Sequence, residues 1–268
     1  MKLGDGREVT SGGLTGRLYA SVTRRATGPA TENGGRNRPT YVLLHGIGVS
    51  HRYFARLHHE LALVADVYTL DLPGFGAAPR PGRQVPVGEY AAFVSSVLAG
   101  AGVRSCVLVG HSMGTQYAVE LALQDPGLVA GLVLMGPVVD STRKSVPLQA
   151  LALTRDAVLG ESVSSNVIVF GDYFRTGLRW YLTQLPVMMD YPLESRIQGV
   201  SQPVLVMRGA KDPVARRGWC ERLAAQAPQG SLAEIPGVGH VLQHTAPGAT
   251  AAAISSWVRA VDGFGVTA

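Results

Sequence analysis

Short apolar runs alternate with longer amphipathic stretches along most of this chain, and the two spacings predict different elements. Mainly aliphatic runs at residues 41–44, 65–70, 105–109, 129–135, 203–207 and 231–235 are read as strands. Between them, and after the last, 3.6-residue periodicity predicts helices at residues 51–63, 87–99, 113–124, 215–227 and 247–261. The second of these places Tyr90, Phe93, Val94, Val97 and Leu98 on one stripe, as a helix covering a sheet requires. Strand and helix in regular succession imply βαβ units, a parallel sheet and an α/β fold.

Two regions depart from that rhythm. Near the N-terminus, residues 14–22 alternate in polarity and are read as an edge strand, followed by an exposed loop over residues 27–39, rich in Gly, Pro, Asn and Thr. Residues 140–198 are rich in Leu, Val, Tyr, Phe, Trp and Met without a clear strand. They are read as a helical cap inserted into a core domain made of residues 1–139 and 199–268.

Composition narrows the class. The chain has 268 residues, 46% hydrophobic and 16% charged, which suits one globular α/β domain with an insertion and excludes disordered and fibrous classes. The formal charge of +5 arises entirely in residues 1–85, which hold 11 Lys and Arg against 6 Asp and Glu, while the remainder holds 13 of each. Those cations, Arg24, Arg25, Arg36 and Arg38 among them, are scattered without interleaved aromatics, so no nucleic-acid partner is expected. Cys106 and Cys220 cannot form a disulfide framework and lack metal-ligand neighbours. His51, His58, His59 and His244 are likewise too dispersed for a metal site, so neither metal nor cofactor is expected. The N-terminus carries no apolar signal core and the apolar runs are too short to cross a bilayer, so the expectation is a cytoplasmic protein with no membrane partner. Oligomeric state has no signature in the sequence.

The chemistry concentrates at Gly110-His111-Ser112-Met113-Gly114, a G-x-S-x-G sequence between an apolar run and an amphipathic helix. A sharp strand-to-helix turn lifts the Ser112 hydroxyl above the sheet edge and crowds the flanking positions, hence the glycines. A serine hydroxyl needs an adjacent base held by a third group. Asp212, in Gly209-Ala-Lys-Asp-Pro213, follows the strand at 203–207, and His240, in Gly237-Val-Gly-His240, follows that at 231–235. Both fall at carboxyl ends of parallel strands, where open α/β sheets gather ligands. Asp140, shortly after the strand at 129–135, is the rival acid, with an alternative role as cap of a helix starting at Ser141. Donors for a developing oxyanion are expected from the main-chain N–H groups of Ile47, after Leu43-Leu-His-Gly46, and Met113.

With these residues the chain resembles the α/β-hydrolase superfamily, over nearly its whole length from about residue 14. The family's oxyanion His-Gly is matched by His45-Gly46, its nucleophile by Ser112, its acid by Asp212, its base by His240, and its Asp-x-Pro-Gly-x-Gly turn by Asp71-Leu-Pro-Gly-Phe-Gly76. The resemblance implies a Ser-His-Asp hydrolase, and the same fold and triad serve many substrates. The expected activity is hydrolysis of a small or medium hydrophobic carboxylic ester, with Phe174, Trp180, Tyr181 and Met188 of the cap supplying apolar pocket surface. The alternatives are carbon-carbon bond hydrolysis of aromatic ring-cleavage products and a non-catalytic ligand receptor. Enzymes of the first kind typically carry Gly-Asn-Ser at the elbow and Trp after the histidine, where this chain has Gly110-His111-Ser112 and Val241.

Overall fold

Alternate residues of the fifth strand point to opposite sides and both sides are dry: Cys106 and Leu108 join one apolar cluster, Val107 and Val109 the other. That strand, β5 (Cys106–His111), is central in an eight-stranded sheet of order β1-β2-β4-β3-β5-β6-β7-β8. The structure is a computed structural model that describes residues 3–22, 38–143 and 163–261. The other strands are β1 (Arg7–Ser11), β2 (Leu14–Ser21), β3 (Thr40–Leu44), β4 (Asp66–Asp71), β6 (Val129–Met135), β7 (Val204–Gly209) and β8 (Gly230–Ile235). From β4 to β8 every neighbouring pair is parallel, whereas β1 and β2 join antiparallel.

Helices cover both faces, which is why the central strands are continuously apolar. Helices α1 (His51–Ala62) and α9 (Pro247–Ala260) bury Phe54, Leu57, Leu61, Ile254 and Val258 against one face. Helices α2 (Val87–Gly100), α3 (Gly114–Gln124) and α7 (Arg217–Gln226) bury Tyr90, Phe93, Tyr117 and Trp219 against the other. A short helix, α8 (Leu242–Thr245), precedes α9. Between β6 and β7 the described residues hold 3-10 turns at Ser141–Arg143 and Ile197–Gly199 and the helices α4 (Val163–Thr176), α5 (Leu178–Asp190) and α6 (Leu193–Arg196).

The expected alternation is present, with element ends moved by one or two residues. The N-terminal reading needs correction: β2 is not an edge strand, because β1 pairs outside it through a tight turn at Gly12-Gly13. Both glycines have positive φ, 57° and 76°, as a two-residue hairpin with the favoured twist demands. Most of the expected loop at residues 27–39, and residues 144–162 of the expected cap, lie outside the described residues.

Candidate active site

Ser112 sits where β5 ends and α3 begins, with φ of 55°; among the described residues it is the one non-glycine in the left-handed region. Such a conformation costs about 1–2 kcal/mol and persists only when its surroundings enforce it. Here Ser112 N–H donates to Met135 O on β6 at 2.9 Å, and Ser112 O accepts from Thr115 N at 3.0 Å and Thr115 Oγ1 at 2.6 Å. The flanking glycines are steric necessities: a Cβ on Gly110 would lie 2.4 Å from Gly114 O, and one on Gly114 would lie 2.1 Å from Leu44 O. Gly46, at the end of β3, faces the serine, since a Cβ there would stand 3.4 Å from Ser112 Oγ. Ile47 and Met113, the expected donor positions, are both buried beside it.

His240 lies in the loop after β8, and its Nδ1 stands 2.8 Å from Asp212 Oδ2 in the loop after β7. The second oxygen, Asp212 Oδ1, accepts from Val214 N at 2.7 Å and Ala215 N at 2.9 Å. Burial alone would raise the Asp212 carboxyl, but His240 and those two amides outweigh it and hold it below the ordinary carboxylate value. Arg208 braces the loop, donating to Ala215 O at 2.8 Å and Asp212 O at 3.0 Å and pairing with Glu234. Asp140 is engaged elsewhere: it accepts from Thr142 N at 3.1 Å and Thr142 Oγ1 at 2.8 Å, and pairs with Arg222 at 2.8 Å. It caps the 3-10 turn, the structural alternative weighed for it above.

Sequence reasoning missed a buried chain that links the serine's strand end to the histidine's loop. His111 Nε2 is 2.9 Å from His240 O, a pure acceptor, so Nε2 carries the proton and donates. His111 Nδ1 is then the acceptor for Tyr53 Oη–H at 3.0 Å, and Tyr53 Oη accepts in turn from Gly46 N–H at 2.8 Å. Burial pushes His111 down to about 3, so it stays neutral and the tautomer is fixed. The chain runs from β3 through α1 and β5 to the His240 loop. Its bonded partners are separated by up to 129 residues, which no local motif reveals.

His45 plays a similar local part, accepting from Leu72 N–H at Nε2 (3.0 Å) and donating from Nδ1 to Gly46 O (2.8 Å). Asp71, fully buried, accepts from His51 N at 2.7 Å, His51 Nδ1 at 2.9 Å and Tyr19 Oη at 3.1 Å. Its Oδ2 also accepts from Ala77 N at 3.5 Å across the turn that carries Gly74, against which the Trp180 indole packs.

The apolar residues expected to line a pocket separate into three kinds. Trp180 and Met188 are buried where α5 meets the body, and Gln116 Nε2 donates to Met188 O at 2.8 Å. Tyr181 is partly buried and pairs edge to face with Tyr173, ring centroids 5.5 Å apart, over Gly48. Phe174 is 87% exposed, so the structure turns it to solvent rather than into the protein. Helix α4 also grips the loop after β3: Thr176 Oγ1 donates to Gly48 O at 3.0 Å, and buried Asp172 accepts from Ser50 Oγ at 2.5 Å and Arg52 Nη1 at 3.1 Å. Among the described residues no group of His, Cys, Asp and Glu could hold a metal ion, and no helix is long and apolar enough to cross a membrane.

A left-handed serine between two glycines ends β5, and a carboxylate-held histidine follows β8, so both lie at the carboxyl ends of strands of a mostly parallel sheet. The model of the alpha/beta hydrolase family matches residues 41–253, and the chain belongs to that family. It is similar, at 33% identity over 97 residues, to an uncharacterised protein of Mycobacterium tuberculosis; the match spans 36% of this chain and 28% of that one. Fuller matches include the magnesium-chelatase 30 kDa subunit of Rhodobacter capsulatus, 24% identical over 90% of this chain and 95% of that one. Another is a pimeloyl-[acyl-carrier protein] methyl ester esterase of Aromatoleum aromaticum, 26% identical over 76% and 92%. Among solved structures, the fold is similar to esterase RhEst1 from Rhodococcus sp. ECU1013, with TM-score 0.75, 20% identity and coverage of 95% and 98%. It is also similar to the meta-cleavage product hydrolase CumD, with TM-score 0.76, 16% identity and coverage of 96% and 98%.

Proposed function

We propose that the chain is a serine hydrolase of carboxylic esters, with Ser112 as nucleophile, His240 as general base and Asp212 as the acid that orients it. The observation that carries this reading is the 2.8 Å contact of His240 Nδ1 with Asp212, after β7 and β8, at the same carboxyl edge of the sheet as the left-handed Ser112. With Nδ1 held by a carboxylate, the Nε2 lone pair is the basic site of the ring. His240 takes the Ser112 proton as Oγ attacks the ester carbonyl, and passes it to the departing alcohol. A water attacks the acyl-enzyme by the same route, releasing acid and restoring the serine. Main-chain N–H groups of Ile47 and Met113 are assigned to the oxyanion. Gly46 N–H is unavailable for that task, because Tyr53 Oη accepts it.

Residues 140–198 act as a cap in this reading, and Trp180, Met188 and Tyr181 shape the acyl side of the pocket. The esterase among the sequence relatives, together with Gly110-His111-Ser112 at this chain's elbow and Val241 after its histidine, favours an ester over a carbon-carbon bond. The test is a series of p-nitrophenyl esters of graded acyl length, run beside dienone ring-cleavage products. Turnover of the esters with a clear optimum in chain length supports the reading; turnover of the dienones alone transfers the same residues to carbon-carbon cleavage. Failure on both, with the protein folded, supports a non-catalytic receptor.

A further inference from the structure

Of the seven large apolar side chains left exposed among the described residues, four lie on one segment, the others being Val22, Leu63 and Val64. Among the described residues, Val167 is 67% exposed, Phe174 87%, Leu178 72% and Leu182 53%, all on α4 and α5. The periodicity of α5 makes this a face. Trp180, Gln184 and Met188 point inward and are buried, while Leu178, Leu182 and Pro186, four residues apart, form an outward stripe. A helix apolar on both sides has a second surface that its own fold does not cover.

At the α4–α5 junction the charges beside that face are basic, whereas its Pro186 end borders Glu120 and Asp190. Arg175 and Arg179 are exposed on the same two helices, and Arg80 joins them at the α4–α5 junction, where its Nη2 donates to Arg175 O at 2.8 Å. The acids of these helices are Asp172, buried and engaged by Ser50 and Arg52 with the exposed Arg175 3.9 Å away, and Asp190, at the far end of α5. Asp190 is about 18 Å from Leu178 along the axis. The face is therefore a Phe, Leu and Val surface bordered by cations at the α4–α5 junction, where Phe174 and Leu178 stand.

We propose that α4 and α5 form a peripheral docking surface for an anionic lipid bilayer, with Phe174, Leu178 and Leu182 entering the headgroup–acyl boundary and Arg80, Arg175 and Arg179 meeting lipid phosphates. The charge pattern selects this occupant. A second copy would pair the same patch across a two-fold axis and set arginines against arginines, whereas a helix face with Phe and Leu flanked by arginine suits an anionic interface. The same helices grip the loop beside Ser112 through Thr176 and Gly48, so a docked surface would present its lipids next to the site. This replaces the expectation of no membrane partner, and it holds whether or not the site hydrolyses esters.

The test is co-sedimentation of the Ser112→Ala protein with vesicles of phosphatidylcholine alone and of phosphatidylcholine with phosphatidylglycerol. The expected result is binding to the mixed vesicles that weakens with salt, and much less to the neutral ones. Phe174→Ser/Leu178→Ser, at exposed positions, should weaken binding about tenfold or more and leave the melting temperature and soluble-ester turnover of the Ser112 parent unchanged. Arg179→Glu should weaken binding to the anionic vesicles selectively. Absence of vesicle binding overturns the proposal, as does binding that Phe174→Ser/Leu178→Ser leaves intact. A dimer seen by light scattering and dissociated by that variant, without vesicle binding, would assign the face to a second copy. Retention on polyglutamate in place of vesicles would assign it to an acidic protein.

Discussion

Both oxygens of Asp212 are occupied, one by His240 and one by two amides of its own loop, so an amide substitute fits the space and fails the chemistry. Asp212→Asn is expected to lower kcat by about a hundredfold or more, because the His240 tautomer loses its acceptor. Asp140→Asn, whose contacts are Thr142 and Arg222, should change kcat by less than about tenfold. Steady-state kinetics on both folded variants checks the ranking, and the reverse order would move the acid to Asp140. Tyr53→Phe removes the acceptor of Gly46 N–H and the donor to His111 in one step. It should cost about 1–3 kcal/mol of stability by leaving buried groups unpaired, and lower kcat with KM little changed. Equal kcat in a folded variant would reduce the chain to packing. The Ser112 turn and the pairing of His240 with Asp212 were legible because each residue sits in a short motif after a strand; Tyr53 was not, since its partner His111 is 58 residues away.

At the scale of elements, what the sequence concealed has physical causes. Strand β1, Arg-Glu-Val-Thr-Ser, is mostly exposed and has no apolar face to betray it. Only Gly12-Gly13, the hairpin signal, marked it, and without β1 the adjacent β2 looked like an edge. An aromatic residue in a cap suggests a pocket lining, hence the expectation for Phe174, but α4 gives inward positions to Asp172 and Thr176 and leaves Phe174 exposed. Those two residues tie the inserted helix to the loop after β3. Asp172→Ala strands Ser50 Oγ and Arg52 and should lower stability by about 1–3 kcal/mol. The accompanying expectation is a larger loss of ester turnover than of stability, since the loop after β3 carries Ile47. Thermal melts and turnover measured on the same sample check this; a full-activity variant would show that α4 does not position the loop.

Over the whole molecule, buried neutral histidines make the fold sensitive to acid. Burial lowers His58 to about 4 and His111 to about 3, against about 6.5 in the unfolded chain. As pH falls below about 6.5 the unfolded chain binds protons that the folded one refuses, so stability declines until the folded values are reached. At pH 5 each of the two costs about 2 kcal/mol. The melting temperature should therefore be lower at pH 5 than at pH 7.5, and His58→Gln should show a smaller drop; a flat profile would mean these groups are not neutral in the fold.

The central claim, that Ser112 is the nucleophile, is tested most directly by intact mass after reaction with a fluorophosphonate. The account predicts one adduct, mapped to the peptide bearing Ser112, and none in Ser112→Ala with its melting temperature preserved. An adduct that persists in Ser112→Ala, or that maps to another serine of the parent, would contradict it.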